Sequence, residues 1–117
     1  MFVNRSMITP FVDAVVHKLL GDVELFEALE LAMQQIIKAE ANIDPPDDVA
    51  DTEEWMIRPC AAILAKLVQP KIDAIQEPII ARIERDYAEA LKTLRAHRVV
   101  PETVASAYGT MEGGVEW

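Results

Sequence analysis

The sequence has a single cysteine, Cys60, and no apolar run that approaches the ~20 residues needed to cross a bilayer. A lone cysteine excludes an internal disulfide and is typical of a reducing cytoplasm. The N-terminal residues do not predict a signal peptide, because no basic cluster precedes an unbroken apolar stretch. We therefore expect a soluble, unprocessed chain.

Basic residues are scarce in the first half of the chain. Residues 1–57 contain twelve acidic and three basic residues, a net charge of −9, whereas residues 58–117 contain eight of each and sum to zero. Nucleic-acid phosphates and anionic membrane surfaces both attract positive charge, so we expect no sequence-specific nucleic-acid binding and no membrane binding. The acidity either keeps the chain soluble or forms a face that meets a basic partner.

Recognisable catalytic and metal-binding patterns are also missing from the sequence. Glycine stands only at position 21 and from position 109 onward, which leaves no glycine-rich phosphate loop. The acidic loop lacks the alternating ligands, central glycine and closing glutamate of a calcium loop, and no Glu-x-x-His pair of a di-iron bundle occurs. We interpret His17 as a packed histidine, His97 as a helix C-terminal residue and Cys60 as a core residue. The sequence thus predicts no catalytic residue, no metal site, no cofactor and no enzyme.

What the sequence does contain is apolar residues at helical spacing, which predict four helices and no strand. The first helix is predicted from Thr9-Pro10 to Gly21. The second follows a cap at Asp22 and runs to about Ala41. After it comes the stretch NIDPPDDVADT, an acidic loop in which the two prolines favour extended backbone.

The third and fourth predicted helices contain prolines. Asp51 and Glu54 resemble a capping box for the third helix, and Pro59 either kinks that helix or marks its true start. Pro70 should end or bend it, and the fourth helix should begin near Pro78 and end before residue 99. The inward-facing stripes are Trp55, Ile63, Leu64, Leu67 and Val68 on the third helix, and Ile80, Ile83, Tyr87, Leu91 and Leu94 on the fourth. We predict an all-α fold, a small four-helix bundle with proline-broken helices over residues 1–98.

Residues 99–117, VVPETVASAYGTMEGGVEW, form the second predicted part, an extended C-terminal arm. The arm holds three of the four glycines and two aromatic residues that no helical stripe of the bundle accounts for. Aromatic residues on an exposed segment are typical of partner binding, and strand addition to a partner is one mode. We predict partner contacts at Tyr108, Met111, Val115 and Trp117, and weaker ones at Lys92, Arg95 and Arg98. The competing interpretation is that the arm folds back onto its own helices.

The order of these elements resembles the head-to-tail adaptor (head-completion) proteins of tailed bacteriophages. The resemblance covers residues 6–98 in layout and lies in the helices DTEEWMIRPCAAILAKLV and IERDYAEALKTLRAHR, in Tyr87-x-x-Ala90-Leu91 and in the arm that follows. Three prolines, at positions 59, 70 and 78, depart from the family's usual form and predict a more broken bundle.

The resemblance implies a structural virion protein of the phage neck, assembled in the host cytoplasm. It implies a ring, commonly of twelve copies, that joins the portal protein to the next neck or tail protein while DNA passes through its channel. It also implies that the arm docks on the portal or on a neighbouring subunit, and it brings no catalytic residue. The alternative is a small cytoplasmic regulatory or adaptor protein that binds one partner protein, and an enzyme of unknown type is a third.

Overall fold

The computed structural model describes residues 1–71 and 77–100, and every regular element in these two ranges is helical. The α-helices there are α1 (Arg5–Ile8), α2 (Ala14–Leu19), α3 (Val23–Ala41), α4 (Glu54–Val68) and α5 (Glu77–Ala96). Short 3₁₀ turns lie at Thr9–Phe11, Val49–Asp51 and Gln69–Lys71. The predicted all-α fold is confirmed, while most of the predicted arm, residues 101–117, lies outside the described residues.

The core forms where three long helices meet. α4 packs against α5, its largest contact, and also against α3, α1 and α2. The side chains with no exposed surface include Met33 and Ile37 of α3, Ile63, Leu64 and Val68 of α4, and Leu94 of α5. Most of these residues belong to the predicted apolar stripes, so the helical periodicity identified the core face correctly.

α3 has the limits that its end signals predict. The Asp22 side chain accepts a hydrogen bond from the Leu25 backbone N–H at 3.1 Å, which is the expected N-cap contact. The helix ends at Ala41 because Asn42 adopts a left-handed conformation with φ 56°. Asparagine tolerates this region better than other non-glycine residues, so Asn42 is a left-handed cap that was not predicted from the sequence.

The structure of α4 shows that one predicted cap is wrong and that the helix does not start at Pro59. The capping box at Asp51 and Glu54 is wrong, since Glu53 is the N-cap residue and no side chain caps the helix. Asp51 instead ends a 3₁₀ turn that Asp48 caps by accepting from the Ala50 N–H at 2.9 Å. The helix runs through Pro59 and ends two residues before Pro70. Pro59 lies in the helix interior and costs it one backbone hydrogen bond, which the buried packing of α4 outweighs.

The predicted first helix is broken into three pieces. α1 is capped by Asn4, the 3₁₀ turn Thr9–Phe11 carries Pro10 in its first positions, and α2 starts only at Ala14. Proline has no N–H to continue the α-helical ladder, and Val12 after the turn has extended backbone angles. Phe11, which lies at the end of this turn, stays 46% exposed.

Two residues before α1 are part of the core, which the sequence did not predict. Phe2 and Val3 are buried. The Phe2 N–H donates to Glu30 Oε1 at 2.8 Å, and the Phe2 carbonyl accepts from the Thr52 hydroxyl at 2.5 Å. Glu30 also accepts from Gln34 Nε2 at 3.2 Å and is the buried charged residue of the described chain. Side chains from α3 and from the acidic loop thus fix the N-terminal segment on both sides.

Candidate functional site: the exit of the C-terminal segment and the groove along α4

The end of α5 is fastened to the end of α3 by two arginines. Arg95 forms an ion pair with Glu40, and Arg98 Nη1 donates to the Ala39 carbonyl oxygen at 2.8 Å. That carbonyl belongs to the last turn of α3, where carbonyl groups lack helical partners and the helix dipole is negative. A guanidinium group donates hydrogen bonds to such carbonyl groups, and its positive charge is favoured at the negative end of the dipole. These contacts therefore hold the ends of α3 and α5 together.

The backbone that follows α5 is held at the same place. The Val99 N–H donates to the Ala41 carbonyl oxygen at 2.8 Å, and Asn42 Nδ2 donates to the Val99 carbonyl oxygen at 3.0 Å. The left-handed conformation of Asn42 therefore serves two purposes, since it ends α3 and presents the side-chain amide to the departing chain. Val99 and Val100 are nevertheless 50% and 63% exposed. The C-terminal segment leaves the bundle from a fixed point with apolar side chains facing outward.

An aromatic stack closes this end of the bundle. The ring of Trp55 at the start of α4 lies 3.8 Å from that of His97, with 12° between the planes. Trp55 Nε1 donates to Glu53 Oε2 at 3.0 Å, and His97 Nδ1 donates to the Thr93 carbonyl oxygen at 2.9 Å. His97 thus lies at the helix C-terminus as expected, and Trp55 is half-buried beneath it.

A groove of about 560 Å³ runs along α4 from this stack. Its floor consists of Pro59, Ala62 and Ala65 of α4, which are small. One wall is the stretch from Pro10 to Val16, and the other is the face of α5 from Arg82 to Thr93. An ion pair between Arg82 and Asp13 joins the two walls, and Arg58 places its guanidinium carbon 5.9 Å from the centre of the Phe11 ring.

The predicted contact residues fall into two groups. Tyr108, Met111, Val115 and Trp117 lie outside the described residues, so their role stays a prediction. Lys92 is exposed and has no ion-pair partner among the described residues. Arg95 and Arg98 form the intramolecular contacts described above, which places them at the base of the segment.

Cys60, one of the residues considered for catalysis, lies in the core. Cys60 has no exposed surface, and burial together with the nearby Glu30 carboxylate raises the pKa of its thiol far above the usual range. A thiol that stays protonated is a poor nucleophile. The prediction of a buried core cysteine is confirmed.

His17 is held by two neighbours in α1 and the following turn. Thr9 Oγ1 donates to the Arg5 carbonyl oxygen at 3.1 Å, so it accepts from His17 Nε2 at 3.0 Å. Arg5 Nη2 then lies 3.3 Å from His17 Nδ1 and donates to the His17 carbonyl oxygen at 3.1 Å. The half-buried ring has a partner at each nitrogen, as expected of a packed histidine.

The remaining acidic residues that the structure describes show no arrangement for a metal. In the acidic loop, Asp44 pairs with Lys38 at 3.1 Å and Asp48 caps a turn. Within residues 1–71 and 77–100, no three side chains of histidine, cysteine, aspartate or glutamate converge on a possible metal position. The same two ranges contain no helix that is both long and apolar enough to cross a membrane.

Comparison of the chain with protein-family models, with curated proteins and with solved structures finds no match.

Proposed function

We propose that the chain is a structural protein of a tailed-bacteriophage neck and has no enzymatic role. Copies of it form a ring, of twelve in the form that the resemblance implies, between the portal protein and the next neck or tail protein. The C-terminal segment docks on the portal or on a neighbouring copy, with Tyr108, Met111, Val115 and Trp117 as its contacts.

The observation that supports this proposal is the fixed exit of the C-terminal segment. Asn42, Arg95 and Arg98 hold the start of the segment against the end of α3. An arm that binds a distant surface gains affinity when its root has a defined position, because less freedom is lost on binding. The exposed Val99 and Val100 would then be the first apolar residues available to the partner.

The charge distribution agrees with a channel for DNA. Glu24 and Glu27 lie exposed on α3, and the loop from residue 44 to residue 51 adds four aspartates. A surface of this charge makes no contacts with phosphates, so DNA passes without being held. In the proposed ring the acidic first half lines the channel or the outer wall.

The proposal is tested by mixing the chain with portal rings of the parent phage and examining the particles by electron microscopy. The full chain should add a ring to the portal, and a chain truncated after Val100 should stay folded but bind no portal. Unfolding of the truncated chain would show that the segment belongs to its own core, against the proposal. A complex with a single cytoplasmic protein and no ring would favour the alternative of a regulatory adaptor.

A further inference from the structure

The groove along α4 opens beside the point where the C-terminal segment leaves the bundle. Trp55 lines the groove and stacks on His97, and His97 precedes the last described residue, Val100, by three positions. Three residues span at most about 10 Å, so the segment starts within that distance of the stack.

We propose that residues 101–117 dock in the groove along α4 of the same chain. The α5 wall from Arg82 to Thr93 covers eleven helical steps, or about 17 Å. Seventeen residues measure about 25 Å as a helix and about 55 Å when extended, so the segment can bend and still fill the groove. Its attachment beside the groove gives it an effective concentration on the order of millimolar, which no unattached partner matches without much higher affinity.

The apolar residues of the segment recur at helical spacing. Val104, Tyr108, Met111 and Val115 recur at intervals of four, three and four, which would place them on one face of a helix. A short peptide with three glycines is a poor helix former, so a helix in this segment would need the groove to stabilise it. The alanines of the groove floor let a second backbone approach closely, and the 46% exposed ring of Phe11 offers apolar surface on one wall.

The groove is lined by two basic residues, Arg58 and Arg82, and by three acidic ones, Asp13, Asp86 and Glu89, so its charges set where an acidic segment can lie and do not attract it as a whole. Arg58 is exposed and has no carboxylate partner among the described residues, while Arg82 is paired with Asp13. The segment carries three glutamates, at positions 102, 112 and 116, and no basic residue. Because Asp86 and Glu89 lie on the α5 wall, the glutamates are favoured on the side of Arg58.

Docking in the same chain does not depend on the neck function. Where that function holds, the portal must displace the segment from the groove before it binds the segment. The apparent affinity for the portal is then lowered by the fraction of chains whose segment is free.

Hydrogen exchange measured by mass spectrometry on the isolated full chain tests the docking. Amides between residues 103 and 115 should exchange at least about tenfold more slowly than in a synthetic peptide of residues 101–117. Ala62→Arg, which puts a long side chain into the groove, should abolish this protection. Ala28→Arg makes the same change on the exposed face of α3 and should leave it intact. Exchange of the full chain at the peptide rate would overturn the proposal, as would protection that persists in a folded Ala62→Arg variant.

A second variant serves as a control in case Ala62→Arg misfolds. Replacing Tyr108 and Met111 by serine changes only the segment, so residues 1–100 keep their full set of core side chains. This double variant should lose the protection and shift the amide resonances of Ala62 and Ala65 in nuclear magnetic resonance spectra. Unchanged resonances would contradict docking in this groove.

Dilution separates docking in the same chain from exchange between copies. Protection in the same chain should not change over about a hundredfold dilution, because the reaction is unimolecular. Protection that falls on dilution together with the oligomer would assign the segment to a neighbouring copy and overturn the proposal. None of these measurements includes the portal, so their failure is distinct from failure of the neck function.

Discussion

Substituting Phe2 by alanine should destabilise the bundle far more than the same substitution at Phe11. Phe2 is 1% exposed and its backbone is fixed by Glu30 and Thr52, whereas Phe11 is 46% exposed. Truncating a buried phenylalanine removes its transfer free energy and leaves a cavity, together about 3–5 kcal/mol. Truncating Phe11 loses about half of a transfer term and a weak contact with Arg58, together about 1–1.5 kcal/mol.

Urea denaturation followed by circular dichroism measures this difference. With a slope of about 1.5 kcal/mol per molar urea, the Phe2→Ala midpoint should fall by roughly 2–3 M and the Phe11→Ala midpoint by about 0.7–1 M. A domain of this size has a free energy of unfolding of about 5–15 kcal/mol, so Phe2→Ala removes a large part of it. Equal midpoints for the two variants would refute the conclusion that the N-terminal segment belongs to the core.

Three further predictions concern the buried charge, the exit and the cysteine. Glu30→Ala should cost about 2–3 kcal/mol of unfolding free energy, since it leaves the buried Phe2 N–H without an acceptor. Glu27→Ala, at an exposed position, should cost almost nothing. Equal losses of the two variants in urea denaturation would contradict this. The temperature of thermal unfolding should be highest for the parent chain, lower for Asn42→Gly and lowest for Asn42→Ala. Glycine keeps the left-handed backbone but loses the hydrogen bond to Val99, and alanine loses about 1 kcal/mol more to backbone strain. A glycine variant as stable as the parent would show that the Val99 bond contributes nothing. The raised pKa of the Cys60 thiol means that its contribution to stability is complete below the unfolded thiol pKa near ~8.5 and is lost at higher pH. Stability should therefore fall between about pH 9 and pH 10 by up to about 1.4 kcal/mol more than in Cys60→Ala, and the same fall in both would contradict the assignment.

Local signals in the sequence predicted the long helices well. Asp22 was predicted to cap α3, and both limits of that helix match the prediction, because caps and periodicity act within a few residues. The predicted core positions Ile63, Leu64 and Leu94 are buried for the same reason. The failures at Asp51 and Pro10 were also local, since Glu53 is the N-cap of α4 and the 3₁₀ turn that contains Pro10 leads into extended backbone at Val12.

Contacts between distant residues were beyond prediction from one sequence. The burial of Phe2 depends on Glu30 and Thr52, which lie 28 and 50 positions away. The exit depends on the Asn42 contact with Val99, which spans 57 positions. No pattern in the chain marks such pairs, although an asparagine at a helix end is a signal that could have been read as a left-handed cap.

The groove was also not predicted, because it arises from the break between α1 and α2. Had residues 9–20 formed one helix, as the sequence suggested, Phe11 would have packed inward. The extended backbone at Val12 instead leaves the Phe11 ring on the groove wall.

We propose that the bundle supports the C-terminal segment and that the segment binds the portal. The most direct measurement is the binding of the chain to portal rings, by sedimentation and electron microscopy. The parent chain is compared with a variant in which Tyr108, Met111, Val115 and Trp117 are all serine. We predict that the parent chain adds a ring to the portal and that the serine variant, still folded, adds none. A serine variant that binds the portal as well as the parent chain does would contradict the account.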